Sequence, residues 1–259
     1  MNLNGDIRSL MSVESDEMWF GTLHHELGHA YYDLAYTRPE VPYLLREGAS
    51  PAFHEGFAGV AEVAARQTPY LRSLGLIPDV KPSKDAEIRS LLHDALATVP
   101  FMFFASGPMT HWEADVYAHG LPPEQWNARW WQYVRDYQGI VPPTPRGEEW
   151  CDPVTKTHVN DTPAYYFSYA IATVFQYQVY CHVAKTVLHQ DPHQCNFAGH
   201  PEVGAFLERM QAPGATKDWR VILREATGED LSTRAMLEYY RPLMDWLVKQ
   251  NRGRKIGWN

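Results

Sequence analysis

Two histidines four residues apart constrain this chain more than any other feature. They sit in the run Thr22-Leu23-His24-His25-Glu26-Leu27-Gly28-His29-Ala30-Tyr31-Tyr32. On an α-helix, residues four apart lie on one face, one turn above the other. His25 and His29 can then aim both imidazoles at one ion. Two neutral imidazoles suit zinc, and a catalytic zinc keeps one position open for water. Glu26 follows the first histidine and can reach that water as general base. A motif with three fixed positions also arises by chance in unrelated helices, so a third ligand has to be found.

Ser50-Pro51-Ala52-Phe53-His54-Glu55 reads as a helix start, with Ser50 as N-cap and Pro51 at the first helical position. An apolar run follows through Ala58, Val60, Ala61, Val63 and Ala64. Glu55 lies early on this second helix. A carboxylate from a second helix completing a His-His-Glu set is a known catalytic zinc arrangement. His54 is a rival ligand, and a solvated Glu55 is the plain alternative.

The 259 residues are enough for a large core in one or two domains. A net charge of −8 argues against a nucleic-acid surface, which needs basic patches. No run of 18 or more apolar residues is present, so no membrane span is expected. The stretch from Met1 to Asp6 lacks the basic and apolar regions of a signal peptide. With twelve histidines, most must be non-ligands. Of the three cysteines, Cys181 and Cys195 flank the end of an expected helix and could pair, or all three are free buried thiols.

Helical spacing dominates the rest. Helices are expected over Ser12 to Tyr36, about Ser50 to Arg66, and Asp85 to Phe104, where Pro100 should kink or end the helix. Others should run over His111 to Tyr117, Pro122 to Tyr137, Pro163 to Leu188, Pro201 to Gln211 and Lys217 to Ala226. A last helix, Leu231 to Gln250, should kink at Pro242. The tryptophans of Pro122 to Tyr137 read as core. Val141 to Gly147 is a loop, and irregular chain continues to about Asp161. No stretch alternates, so the class is mainly α, a multi-helix bundle with little or no sheet.

These landmarks together resemble the catalytic domain of the angiotensin-converting enzyme (peptidyl-dipeptidase A) family. That family carries H-H-E-M-G-H and, after a short loop, L-R-E-G-A-N-P-x-F-H-E. Here the matching residues are His24-His25-Glu26-Leu27-Gly28-His29 and Leu45-Arg46-Glu47-Gly48-Ala49-Ser50-Pro51-Ala52-Phe53-His54-Glu55. Further matches are Trp130-Trp131, Tyr137-Gln138-Gly139, Pro142-Pro143-x-Pro145, Gln176-Tyr177-Gln178, Pro242 to Leu247 and Gly257-Trp258. The resemblance implies a zincin of the gluzincin type, with one Zn2+ on His25, His29 and Glu55 and with Glu26 as the base. It also implies Lys156 and Tyr166 as partners of the substrate's C-terminal carboxylate, and His158 and Tyr169 as donors to the oxyanion. The activity implied is release of C-terminal dipeptides from oligopeptides with a free C-terminus. A secreted, periplasmic or otherwise extracellular setting goes with it.

Several features depart from the family. The family's domain has a large N-terminal portion ahead of the zinc helix. The chain is thus expected to be a single helical unit, the C-terminal portion of that domain, with the missing portion as a partner. The chloride-binding arginines of animal members fall on Val134 and Ser168, so the resemblance does not carry chloride activation. The aspartate one turn after the glutamate ligand is Gly59 here, and Asp33 or Glu62 could substitute for it. The loop from Lys156 to Tyr166 is one residue longer. The family's disulfide in the region of Cys181 begins one turn later, near Ala184. A zinc carboxypeptidase or oligopeptidase of a related helical family, or an inactive zinc-binding half-domain, remains as an alternative.

Overall fold

Asp16 and Ser50 start the two helices that matter most. The Asp16 carboxylate accepts from the Trp19 N–H at 2.7 Å, opening α1 (Glu17–Tyr36). The Ser50 hydroxyl accepts from the Phe53 N–H at 3.1 Å, opening α2 (Pro51–Ala65) with Pro51 in its first turn. The structure, a computed structural model, describes residues 3–255 and Gly257. The expectations that touch Met1, Asn2 and Trp258 lie outside the described residues.

The chain continues through α3 (Thr68–Ser73), α4 (Lys84–Phe104), α5 (Thr110–Tyr117), α6 (Trp126–Gln138), α7 (Thr157–Asp161) and α8 (Phe167–His182). It ends through α9 (Pro201–Gln211), α10 (Trp219–Thr227), α11 (Arg234–Tyr239) and α12 (Arg241–Gln250). Among the described residues there is no strand, so the fold is mainly α. No helix among them is long and apolar enough to cross a membrane.

The prolines act differently from expectation. The helix runs through Pro100 to Phe104 and then widens into a π turn, Ala105–Met109, which holds Pro108. A π turn shifts the hydrogen-bond register and accommodates a residue without an N–H. Pro242 opens a helix rather than kinking one, since α11 ends at Tyr239 and α12 begins at Arg241. Pro69 likewise opens α3, a short helix beyond those expected. The expected helix from Ser12 starts only at Glu17, after the Asp16 cap. The one from Pro163 starts at Phe167, and its last turn, Val183–Val187, is π.

Contacts divide the chain into two compact units. The first comprises Met1–Ala95 with Val174–Asn259. Its core joins Tyr32 and Tyr36 of α1, Phe53, Phe57 and Val60 of α2, Phe175 and Val179 of α8, and apolar side chains of α9 and α10. Each large side chain fully buried in this way stabilises the fold by about 1.5–3 kcal/mol. Where α1 crosses α2, Gly28 lies against Ala58. A Cβ on Gly28 would sit 2.6 Å from the Ala58 Cα, so only glycine permits this approach. The crossing sets the residues around His25 and His29 opposite those around Glu55.

The second unit is Leu96–Thr173. Ala105, Met109, Trp112, Trp130, Val134, Val159 and Tyr166 form its core. The α6 tryptophans therefore pack, as their spacing suggested. The Asn127 side chain, fully buried, donates to the Gly147 carbonyl and accepts from the Asp152 N–H, each at 2.8 Å. It ties down the proline-rich loop. Asp152 also pairs with Arg146 and accepts from the Trp131 indole at 2.8 Å. Cys151, Cys181 and Cys195 are all free thiols, so the possible Cys181–Cys195 bridge is not formed. Burial pushes the Cys181 thiol up to about 12 and that of Cys195 up to about 11.

Candidate metal centre

Because α1 and α2 meet at Gly28 and Ala58, residues three or four positions away on the facing sides meet as well. His25 and His29 bring their Nε2 atoms to 3.1 Å from each other. Glu55 Oε2 lies 3.3 Å from His25 Nε2 and 3.6 Å from His29 Nε2. Donors 2.0–2.2 Å from a tetrahedral zinc are about 3.3–3.5 Å apart, so this triangle matches one face of such a site. The residue types fit too, being two imidazoles and a carboxylate. Glu55 is 8% exposed in an otherwise apolar stretch of α2, where an unpaired carboxylate is costly. Among the described residues this is the one cluster of histidine, cysteine or acidic side chains found to converge for a metal.

The neighbouring polar groups back these three. Glu62 Oε2 lies 3.4 Å from His25 Nδ1, and Glu62 Oε1 pairs with Arg66 at 2.7 Å. Burial pulls the His25 imidazolium down, yet its hydrogen bonds to Glu55 and Glu62 outweigh that and push its pKa up to about 9. Burial raises the Glu62 carboxyl, but the His25 bond and the Arg66 charge hold it below its ordinary value. His54, the rival ligand, points elsewhere. Its Nδ1 lies 2.7 Å from His29 Nδ1, on the far side of that ring, and its Nε2 lies 3.3 Å from Asp33 Oδ1. Asp33 also accepts from the Tyr36 hydroxyl, and these bonds keep its carboxyl low against the effect of burial. His24 faces away, with Nδ1 2.8 Å from the Phe20 carbonyl oxygen and Nε2 3.2 Å from the Tyr70 hydroxyl. Glu26 lies half-buried on α1.

The other expected site residues gather in the second unit. His158 Nε2 lies 3.2 Å from the Tyr169 hydroxyl. Lys156 Nζ lies over the Tyr166 ring, 5.3 Å from its centre, and the His158 and Tyr166 rings meet edge to face at 4.8 Å. Two details escaped the sequence. His158 lies on the short helix α7, where irregular chain was expected. Tyr165 and Tyr166 precede α8, in a turn where Ala164 has a left-handed φ of 58°. The Ala164 N–H donates to Glu113 Oε1 at 2.8 Å, and that carboxylate is 4% exposed. Val134 and Ser168 are both buried, Val134 within the apolar core.

The family model described as angiotensin-converting enzyme matches residues 1–258. The angiotensin-converting enzyme of Theromyzon tessulatum is 34% identical over 248 residues, which are 95% of this chain and 39% of that protein. That of Mesocricetus auratus is 35% identical over 242 residues, 92% of this chain and 18% of that protein. The angiotensin-converting enzyme-related protein of Drosophila melanogaster is 30% identical over 265 residues, 98% of this chain and 41% of that protein. The chain thus spans well under half the length of these relatives. With its whole length matched, it belongs to the angiotensin-converting enzyme family.

Proposed function

We propose that the chain carries the metal-binding and proton-transfer machinery of a zinc metallopeptidase that releases C-terminal dipeptides from oligopeptides. The observation that carries this reading is the triangle of donor atoms from His25, His29 and Glu55. These three residues hold the zinc. When bound, zinc polarises the scissile carbonyl and lowers the pKa of a water. Glu26 takes the proton of the attacking water and passes it to the leaving amine. Glu26 follows His25 in the chain and is half-buried on the same helix, α1. His158 and Tyr169 donate to the oxyanion as charge develops there. Lys156 and Tyr166 hold the terminal carboxylate, a cation and a phenol being suited to that anion. Recognition of the free C-terminus directs cleavage to that end of the peptide. An extracellular setting goes with this activity.

A second reading has its own support. Leu27, Tyr31 and Leu34 are exposed at 43%, 67% and 47%, and their spacing puts them on one face of α1. Further chain of the family's catalytic domain would cover such a stripe. In that case the chain binds zinc and turns over substrate only with that chain added.

Mass spectrometry of products from an N-blocked peptide with a free C-terminus, with zinc and with chelator, tests both. A chelator-sensitive C-terminal dipeptide is the expected result. Single residues or internal cuts would replace it with a carboxypeptidase or an oligopeptidase. Bound zinc without product, restored by the N-terminal portion of a relative's domain, would establish the second reading.

A further inference from the structure

His25 and His29 turn the same ring nitrogen, Nε2, toward Glu55, so each turns Nδ1 outward. What meets Nδ1 differs between them. At His25 it is a carboxylate oxygen of Glu62, at 3.4 Å. At His29 it is another imidazole nitrogen, His54 Nδ1, at 2.7 Å. Two ring nitrogens approach so closely only when one bears the proton and the other a lone pair. The surrounding bonds assign the tautomers. His29 donates from Nδ1, and His54 accepts there and donates from Nε2 to Asp33 Oδ1. Asp33 is held in turn by the Tyr36 hydroxyl.

We infer that the two ligating histidines are oriented by two separate carboxylates, Glu62 directly and Asp33 through His54. Together they replace the single aspartate that the family has at the position of Gly59. That position is occupied, as the molecule stands, by the movable amide end of the Gln176 side chain. A Cβ on Gly59 would lie 2.0 Å from the Gln176 Oε1 and 3.2 Å from the Gln176 Cβ. Glu62 is one helical turn further along α2 and reaches the ring from there. A carboxylate behind a ligating imidazole fixes its tautomer and rotation and makes it a stronger ligand, and its loss costs about 10–100-fold in metal affinity. Glu62 and Asp33 are positioning residues in this scheme, since neither touches the metal. The inference rests on the zinc reading above.

The test is the zinc dissociation constant of the whole chain by competition with a chromophoric chelator, with the visible spectrum of the cobalt-substituted protein as a second readout. Glu62→Gln should weaken zinc binding by about 10-fold or more and shift the cobalt bands. Asp33→Asn should weaken it less, because it acts through a neutral ring. In a His54→Phe background, Asp33→Asn should add nothing, which a merely structural aspartate would not obey. Gly59→Asp should restore affinity to the Glu62→Gln protein, with the Gln176 amide turning aside to admit it. Circular dichroism identifies any variant that fails to fold, and the remaining arms then decide. Wild-type zinc binding with all variants within twofold of it overturns the inference. A wild-type chain that binds no zinc overturns the zinc reading itself, and this inference with it.

Discussion

His25, His29 and Glu55 project from two long, capped helices, whereas His158 and Tyr166 sit on a five-residue helix and a turn. The first group is placed by one helix crossing, and its geometry follows from the helical repeat once Gly28 and Ala58 touch. The second is placed by a chain of individual anchors: Asn127 on the loop, Arg146 on Asp152, and Glu113 on Ala164. A crossing fails as a whole when its contact is spoiled. Anchored turns fail piece by piece, and each piece should be measurable alone.

The largest effect expected is chemical and belongs to the first group. Glu26→Gln should lower kcat by about 100- to 10,000-fold while zinc content and unfolding temperature hold, as assayed by peptide turnover beside metal analysis. Retained activity would remove Glu26 from the mechanism.

Gly28→Val comes next. Its branched side chain would meet the Ala58 backbone, and overpacking of this kind costs about 1–3 kcal/mol. Thermal unfolding and zinc affinity should fall together. If zinc affinity survived the loss of stability, the crossing would not be what positions the ligands.

Glu113→Ala probes the turn. It leaves the Ala164 N–H without its acceptor, at a cost of about 1–3 kcal/mol that falls on one segment. Hydrogen exchange across residues 161–166 should accelerate, with α1 and α2 unchanged. Equal acceleration in both places would erase the contrast between crossing and anchors.

The smallest effect is one of pH. Hydrogen bonds from Arg146 hold the Asp152 carboxyl down at about 2, against an unfolded value of 3.8. A folded pKa below the unfolded one stabilises at higher pH, so this contribution is complete above about pH 4 and is lost as pH falls through 2. Arg146→Ala should raise the acid-unfolding midpoint within that window, followed by tryptophan fluorescence. An unchanged midpoint would take Asp152 off the set of anchors.

The same contrast governs what could be read from the sequence. The convergence of the candidate metal ligands was legible because a helix turns spacing into geometry: His25 and His29 are four apart, and Ser50 and Pro51 announce the helix of Glu55. Glu62 and Asp33 were visible only as candidates, since their partners depend on how α1 and α2 cross. That His54 backs His29 rather than competing with it follows from tertiary contact, which no local pattern reports. In the second unit, the left-handed Ala164 and the buried Glu113 carried no signal, because alanine and glutamate rarely serve these roles. Pro100 and Pro242 misled for a related reason. A proline fixes one residue's backbone, while the surrounding packing decides whether a helix bends, widens or begins there.

The contact between Gly59 and Gln176 leaves the candidate metal site a route of exchange. What stands closest to a side chain at 59 is the movable amide end of Gln176, and Gln176 belongs to a run that matches the family, where the aspartate is present. An aspartate introduced at 59 therefore asks for a rotation of that amide, with Glu62 still beside His25 meanwhile. Engineering that exchanges α2 segments between relatives can then leave position 176 as it stands.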